Sequence, residues 1–419
     1  MSAPPKRSTT TLLAFVIVFL TLSLVLYPEQ GFQAAMSGLK LFWDAVFPAL
    51  LPFFILSELM LGIGVVHALG VLLEPLMRPL FSVPGVGAFA LSMGLAAGYP
   101  MDAVITAKFR KNKMCSRIEG ERLLAFTNTA DPLFMFGSVA VGMFKNPALG
   151  MLLAVAHYIA AFLVGVSFKL YGRGAKHTYD SVPQPRRQGN LFVRSYQEMI
   201  RAREEDGRPF GKLLGDAVND SIKTILMICG FIIFFSVLIK VLTLSGVIPL
   251  FTWPISGLFT LLGIDQDLVT PFLSGLFEID IGSAQAAAAS ASLNQQLLIV
   301  SAIIAWSGLS VFAQVASVLT GTDIRFTPYV IARILHAVLA AIITVILYNM
   351  GMGQAEATVL APFSNGAQST TGILSHVQIA FGALYHWIII IGITLVLSLA
   401  IYMIRRIRVI FWMSRVRDR

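Results

Sequence analysis

The sequence predicts an all-α polytopic membrane protein, with about eight transmembrane helices plus two re-entrant helical hairpins arranged as an inverted repeat. Three observations carry that expectation. Hydrophobic residues make up 56% of the 419 and charged residues only 13%, about half the charged share usual in soluble domains. Mean hydropathy is +0.78, and several apolar stretches reach the roughly 20 residues that a hydrocarbon core requires. Third, the lysines and arginines gather in a few segments and leave others bare, as in a chain oriented by its cytoplasmic loops.

Simple crossings are expected at 10–27, 43–69, 115–144, 147–170, 217–247, 297–320, 327–349 and 377–404. Lys6 and Arg7 precede an apolar run from Thr11 to Leu26 that looks like a signal peptide. The run ends in Tyr27-Pro28-Glu29-Gln30 without a small-residue cleavage site, so 1–30 reads as an uncleaved first helix. Two more apolar segments are interrupted, 85–113 by Gly98-Tyr99-Pro100 and 270–294 by Glu278-Ile279-Asp280-Ile281-Gly282. Each reads as two half-helices meeting at a polar tip, because freed backbone survives at membrane depth only inside protein or beside a wet cavity.

Orientation follows from the bases. Segment 171–212 holds nine against five acids, the turn closing the first hairpin has Lys108, Arg110, Lys111 and Lys113, and the tail carries Arg405, Arg406, Arg408, Arg415, Arg417 and Arg419. By contrast 248–269 and 350–376 contain none. Both termini are therefore expected in the cytoplasm. The chain divides into the first helix, a first repeat over 40–170, a basic cytoplasmic linker over 171–212, a second repeat over 213–350, and a C-terminal helix with a basic tail over 377–419. Within the linker, 191–206 suits an amphipathic helix on the membrane surface or a solvated connector.

Other classes are disfavoured. The net charge of +9 sits in loops rather than on a groove-reading domain, so no nucleic-acid partner is expected. Cys115 and Cys229 stand apart, with neither disulfide nor metal spacing. No HExxH, GxSxG or phosphate loop occurs, so neither an enzyme nor a cofactor is expected. The expected partners are a small-molecule substrate and the lipid bilayer, with homo-oligomerisation left open.

The halves resemble each other. Asp44-Ala45-Val46 and Asp216-Ala217-Val218 are 172 residues apart, and Gly94-Leu95 and Gly275-Leu276 are 181 apart. Asn128 and Ser307, Ser138 and Ser317, Gly142 and Gly321, and His157 and His336 all pair at 179. Basic loops then make the first hairpin open from the cytoplasm and the second from the far side. Matching interrupted segments in two such halves mark a transporter's substrate site.

Two further breaks are expected to converge on the tips: Thr127-Asn128-Thr129-Ala130-Asp131-Pro132 and Trp306-Ser307-Gly308-Leu309-Ser310. Half-helix N-termini there would face an anion, and exposed carbonyls a cation. Intramembrane acids are costly, which makes Glu58, Asp131, Glu278 and Asp280 functional candidates, with helix capping as the alternative. His157 and His336 suit either proton coupling or a helix–helix hydrogen bond. Arg333 is read as drawing an anion from the cytoplasmic vestibule or snorkelling to lipid phosphate. The run Ala284–Ala291 suits close helix packing.

At these residues the chain resembles the nucleoside-recognition (Gate) domain proteins, whose fold is that of concentrative nucleoside transporters. More narrowly it is similar to the YlbJ (SpoVV) family of sporulation membrane proteins. Phe47-Pro48-Ala49-Leu50-Leu51-Pro52-Phe53, Gly98-Tyr99-Pro100, Thr127-Asn128-Thr129 and Gly275-Leu276-Phe277-Glu278 carry the resemblance. It implies a secondary transporter of a small anionic aromatic metabolite, dipicolinic acid, exported from mother cell toward forespore across the outer forespore membrane. A membrane assembly protein and a nucleoside transporter are the alternatives. In nucleoside transporters an acid matched by Glu278 contacts the ribose, and the following break, here Ser307-Gly308-Leu309-Ser310, assists. Their polar Gln-Thr-Glu tip is replaced by Gly98-Tyr99-Pro100, which leaves room for a flat ligand stacking on Tyr99. The implied substrate residues are Gly98, Tyr99, Asn128, Thr129, Glu278, Gly282, Ser283, Ser307 and Ser310. Asp131, Asp280, His157 and His336 are the candidates for a coupling Na+ or proton.

Overall fold

The computed structural model describes residues 7–174 and 190–353, and every regular element among them is helical. The expected span 377–404, the tail and linker residues 175–189 lie outside the described residues. Helix α1 (Arg7–Leu26) is followed by α2 (Pro28–Leu41), which opens on Pro28, where a missing N–H costs nothing. Wide π turns over Phe42–Val46 carry it into α3 (Phe47–Ile63). Gly64, at φ 90°, ends α3, and α4 (Val65–Leu76) follows it. The expected 43–69 span is thus cut at a left-handed glycine that the apolar run concealed.

Helices α5 (Gly87–Ala97) and α6 (Met101–Lys111) form the first hairpin. A reciprocal capping box between Ser116 and Glu119 starts α7 (Arg117–Thr127). The chain is then extended over 128–131, winds through a π-helical half-helix (Phe134–Met143), and enters α8 (Ala148–Phe168). Beyond the linker comes α9 (Leu191–Asp206), docked on α4 through Ser195 Oγ to the Ala68 carbonyl at 3.0 Å and Arg194 to Glu74 at 2.9 Å.

The second half repeats the order: long α10 (Phe210–Leu244), left-handed Gly246, α11 (Val247–Leu262), and the hairpin α12 (Val269–Phe277) and α13 (Ile279–Ala287). A broken helix, α14 (Leu293–Trp306) with α15 (Gly308–Leu319), and α16 (Phe326–Asn349) complete it. Three expectations are corrected here. Segment 248–269, read as a bare loop, contains α11; α10 begins seven residues before the expected 217, at Phe210. The alanine run packs only in part: Ala286 is buried on α13, which stops at Ala287, and 288–292 turn back.

Four elements among the described residues are long and apolar enough to span a membrane: Ala148–Phe168, Phe210–Leu244, Leu293–Leu319 and Phe326–Asn349. A fifth is the pair Pro28–Val46 and Leu50–Ile63, bent by 57°. The chain is an integral, multi-pass membrane protein. On α16, Ile331, Ile334, Val338, Ile342 and Ile346 are exposed on one face, while Ala332, Arg333, His336, Ala340 and Thr344 are buried on the other. A face this apolar suits lipid and would be a liability in water. The main core joins the halves, packing Val46, Met135 and Leu152 with Ile225, Leu273 and Ile303.

Candidate functional site

Each hairpin tip abuts the broken helix of its own half. At the first tip, Gly98 ends α5 at φ 63°, a conformation natural to glycine, and a Cβ there would lie 2.8 Å from Asp131 Oδ2. Asp131, at the first break, accepts the backbone N–H groups of Leu133 at 2.9 Å and Phe134 at 2.8 Å. It therefore caps the half-helix that Pro132 opens, and so places a carboxylate beside the tip. At the second tip the cap is Glu278, whose Oε2 accepts from the N–H groups of Asp280 at 2.6 Å and Ile281 at 3.0 Å. Gly308, at φ 73°, lets the second break approach: a Cβ would meet the Phe277 carbonyl oxygen at 3.0 Å. Ser307 shares that left-handed backbone at φ 73°, uncommon for a residue with a side chain.

Both tips and both breaks contribute to one pocket, with Tyr99, Asp131, Glu278, Asp280, Ser310 and Gln314 among its lining. Ser310 Oγ lies 3.5 Å from Glu278 Oε1. Asp280 is only 3% exposed, and its Oδ1 has no hydrogen-bond partner among the described residues. Tyr99 lines the pocket, and its hydroxyl donates to the Ile304 carbonyl at 2.9 Å. Three acids and no Lys, Arg or His line this pocket among the described residues.

Other expected site residues stand behind it. The Asn128 amide donates to Asp102 Oδ1 at 2.9 Å, and its side-chain oxygen accepts from the Tyr329 hydroxyl, also at 2.9 Å. Ser307 Oγ lies 3.5 Å from the same hydroxyl. Asn128 and Ser307 thus meet through Tyr329 and do not line the pocket. Thr129 Oγ1 turns back to the Thr127 carbonyl at 3.3 Å. Gly282 sits where the hairpin arms touch, since a Cβ there would fall 2.3 Å from the Gly275 Cα. Ser283 is fully buried on the same arm, and Glu58 lies half-buried on α3.

Asp102 was not among the expected residues. It is fully buried in the first turn of α6 and accepts from Asn128 and from Thr127 Oγ1 at 3.1 Å. An acid two residues past the Tyr99-Pro100 tip was the available signal. Arg333 requires a correction. It is 0% exposed, so it neither lines a vestibule nor snorkels. Its guanidinium donates to the carbonyls of Ala125 and Asn128, with that of Ala305 at 3.5 Å, and so closes the C-terminal ends of α7 and α14.

The paired histidines meet, with ring centroids 4.4 Å apart. His157 Nε2 accepts the Ala130 N–H at 3.1 Å, and His336 Nε2 lies 3.0 Å from the His157 carbonyl, to which it can only donate. That pattern leaves His157 with its proton on Nδ1, gives His336 an Nε2–H, and ties the first break through α8 to α16.

No family model matches the chain. Two solved structures resemble it. CNTnw in an inward-facing substrate-bound state gives a TM-score of 0.48 at 15% identity, covering 84% of this chain and 88% of that one. A CNTnw variant in an intermediate state gives 0.43 at 11%, covering 82% and 85%. The sporulation integral membrane protein YlbJ of Bacillus subtilis (strain 168) is 46% identical over 350 residues, which span 82% of this chain and 84% of that protein. The chain belongs to the family of the sporulation integral membrane protein YlbJ.

Proposed function

We propose that this protein is a secondary transporter acting in sporulation, and that it moves a small aromatic dicarboxylate, dipicolinic acid, from mother cell toward forespore. The observation that supports it is the meeting of two hairpin tips and two helix breaks, one of each from either half, at a single polar pocket. Tyr99 offers a flat ligand a stacking face, and Glu278 with Ser310 offers polar contacts. Both termini and the 171–212 linker face the cytoplasm in this reading, so cysteines placed in 171–212 should resist impermeant reagents while those in 350–376 are labelled.

The pocket's charge sets a condition. A dianion facing Asp131, Glu278 and Asp280 must arrive with protons or a cation to offset them. Asp131 and Asp280 are the coupling candidates that reach the pocket, whereas His157 and His336 serve the first break behind it. The same acids suit a donor-rich ligand, so a nucleoside, whose hydroxyls would donate to carboxylates, is the second reading.

Spores of a deletion strain test the proposal. Dipicolinate should be lost and restored by external supply, which separates transport from an assembly role. Normal content would overturn it.

A further inference from the structure

We propose that Arg333 is a built-in cation that occupies the carbonyl cage where broken-helix transporters hold a coupling metal ion, so that sodium has no place at these breaks. The word coupling rests on the transporter reading above; the cage itself rests on geometry.

Both α7 and α14 end inside the protein, and the last carbonyls of each have no partner in the helical ladder. Each C-terminus carries roughly half a negative charge, so two converging ends amount to about one full charge. Such ends, with unwound carbonyls beside them, are the usual seat of a transported cation. Here the charge is met by one guanidinium, fully buried, reaching the Ala125 and Asn128 carbonyls from one break and Ala305 from the other.

Its planar fork suits this task, because divergent N–H groups can serve two helix ends at once. The neighbouring carbonyls are served as well. Thr127 accepts from Thr129 Oγ1, Ala130 from the Tyr158 hydroxyl at 3.0 Å, and Ile304 from the Tyr99 hydroxyl. A sodium ion would have to displace these donors and sit against a fixed positive charge. Arg333 also belongs to α16, so this cation cannot leave during a transport cycle. Coupling then falls to the pocket acids rather than to the carbonyls of the breaks.

The test uses the full chain in lipid nanodiscs, melted in sodium chloride and in choline chloride at equal ionic strength. The wild type should melt at the same temperature in both. Arg333→Ala should melt lower in choline and regain stability as sodium rises, since an ion binding only the folded state raises the midpoint with its concentration. Arg122→Gln is the control. Arg122 is also buried and serves the carbonyls of Ser82 and Tyr171 at a different place, so its loss should not be repaired by sodium. A sodium-specific rise in the wild type, or none in Arg333→Ala, overturns the proposal. Where Arg333→Ala does not accumulate, Arg333→Gln is read identically, and failure of both to accumulate in sodium-rich medium counts against it. No substrate enters the measurement, so its outcome is independent of dipicolinate transport.

Discussion

The two halves solve one contact with the parts exchanged. In the first, the tip supplies the glycine, Gly98, and the break supplies the capping acid, Asp131. In the second, the tip supplies the acid, Glu278, and the break supplies the glycine, Gly308. Either way a carboxylate that caps a half-helix stands beside a backbone free of Cβ. The tips differ in what remains free. The acid on the first hairpin, Asp102, is held by Thr127 and Asn128 away from the pocket. On the second hairpin Glu278 and Asp280 both face the pocket. The repeat therefore builds a symmetric frame, and the second hairpin contributes most of the charge.

Glycine substitutions press hardest on this comparison. Gly308→Ala meets backbone, the Phe277 carbonyl and Glu278, in a left-handed conformation, and should destabilise by about 1–3 kcal/mol. Gly98→Ala meets the Asp131 side chain at 2.8 Å and its backbone N at 3.2 Å, in a conformation (φ 63°, ψ −162°) open essentially to glycine alone. Its loss should be of similar size, but non-additive with Asp131→Ala in a double-mutant cycle of nanodisc melts. Additive losses would break the exchange of parts. Next comes Asp131→Ala alone, which forfeits the cap and should cost about 1 kcal/mol, while Asp131→Asn retains an acceptor and should cost less.

Asp280→Asn should leave the melting temperature nearly unchanged, because Oδ1 has no partner to lose; uptake should nevertheless fall. A large stability loss would mean that Asp280 belongs to the frame. The smallest effect is expected where α6 meets the loop that precedes α16. Arg110 binds Asp323 at 2.6 and 2.8 Å, and this hydrogen bonding holds the Asp323 carboxyl below its usual range. A depressed carboxylate contributes stability above its ordinary value near 4 and loses it as pH falls through the lowered one. With Asp323 half exposed, Arg110→Ala should cost at most about 1 kcal/mol at neutral pH. Melts of the two proteins should converge in acid.

Much of this frame was legible in the sequence. Pro132 and the polar interruptions disclosed both tips and both breaks, because a missing donor or a bare glycine is a local fact. The motif resemblance led to the family that the Bacillus subtilis relative establishes. Side-chain direction at a break was not legible. Asn128 sits where the sequence placed it, yet its amide turns to Asp102 and Tyr329, the latter 201 residues away. Arg333 was unreadable for the same reason, since its partners are carbonyls, which leave no mark on residue type. Gly64 went unnoticed inside an apolar run, where one left-handed residue ends a helix without changing hydropathy.

The central claim is that the pocket between the tips carries the substrate, and labelled dipicolinate uptake into proteoliposomes tests it most directly. Wild type should accumulate the label with a proton gradient imposed. Glu278→Gln keeps an acceptor for the Asp280 and Ile281 N–H groups, so it should insert and melt like wild type but transport poorly. Equal uptake by a stable Glu278→Gln protein, or none by wild type, would contradict the account.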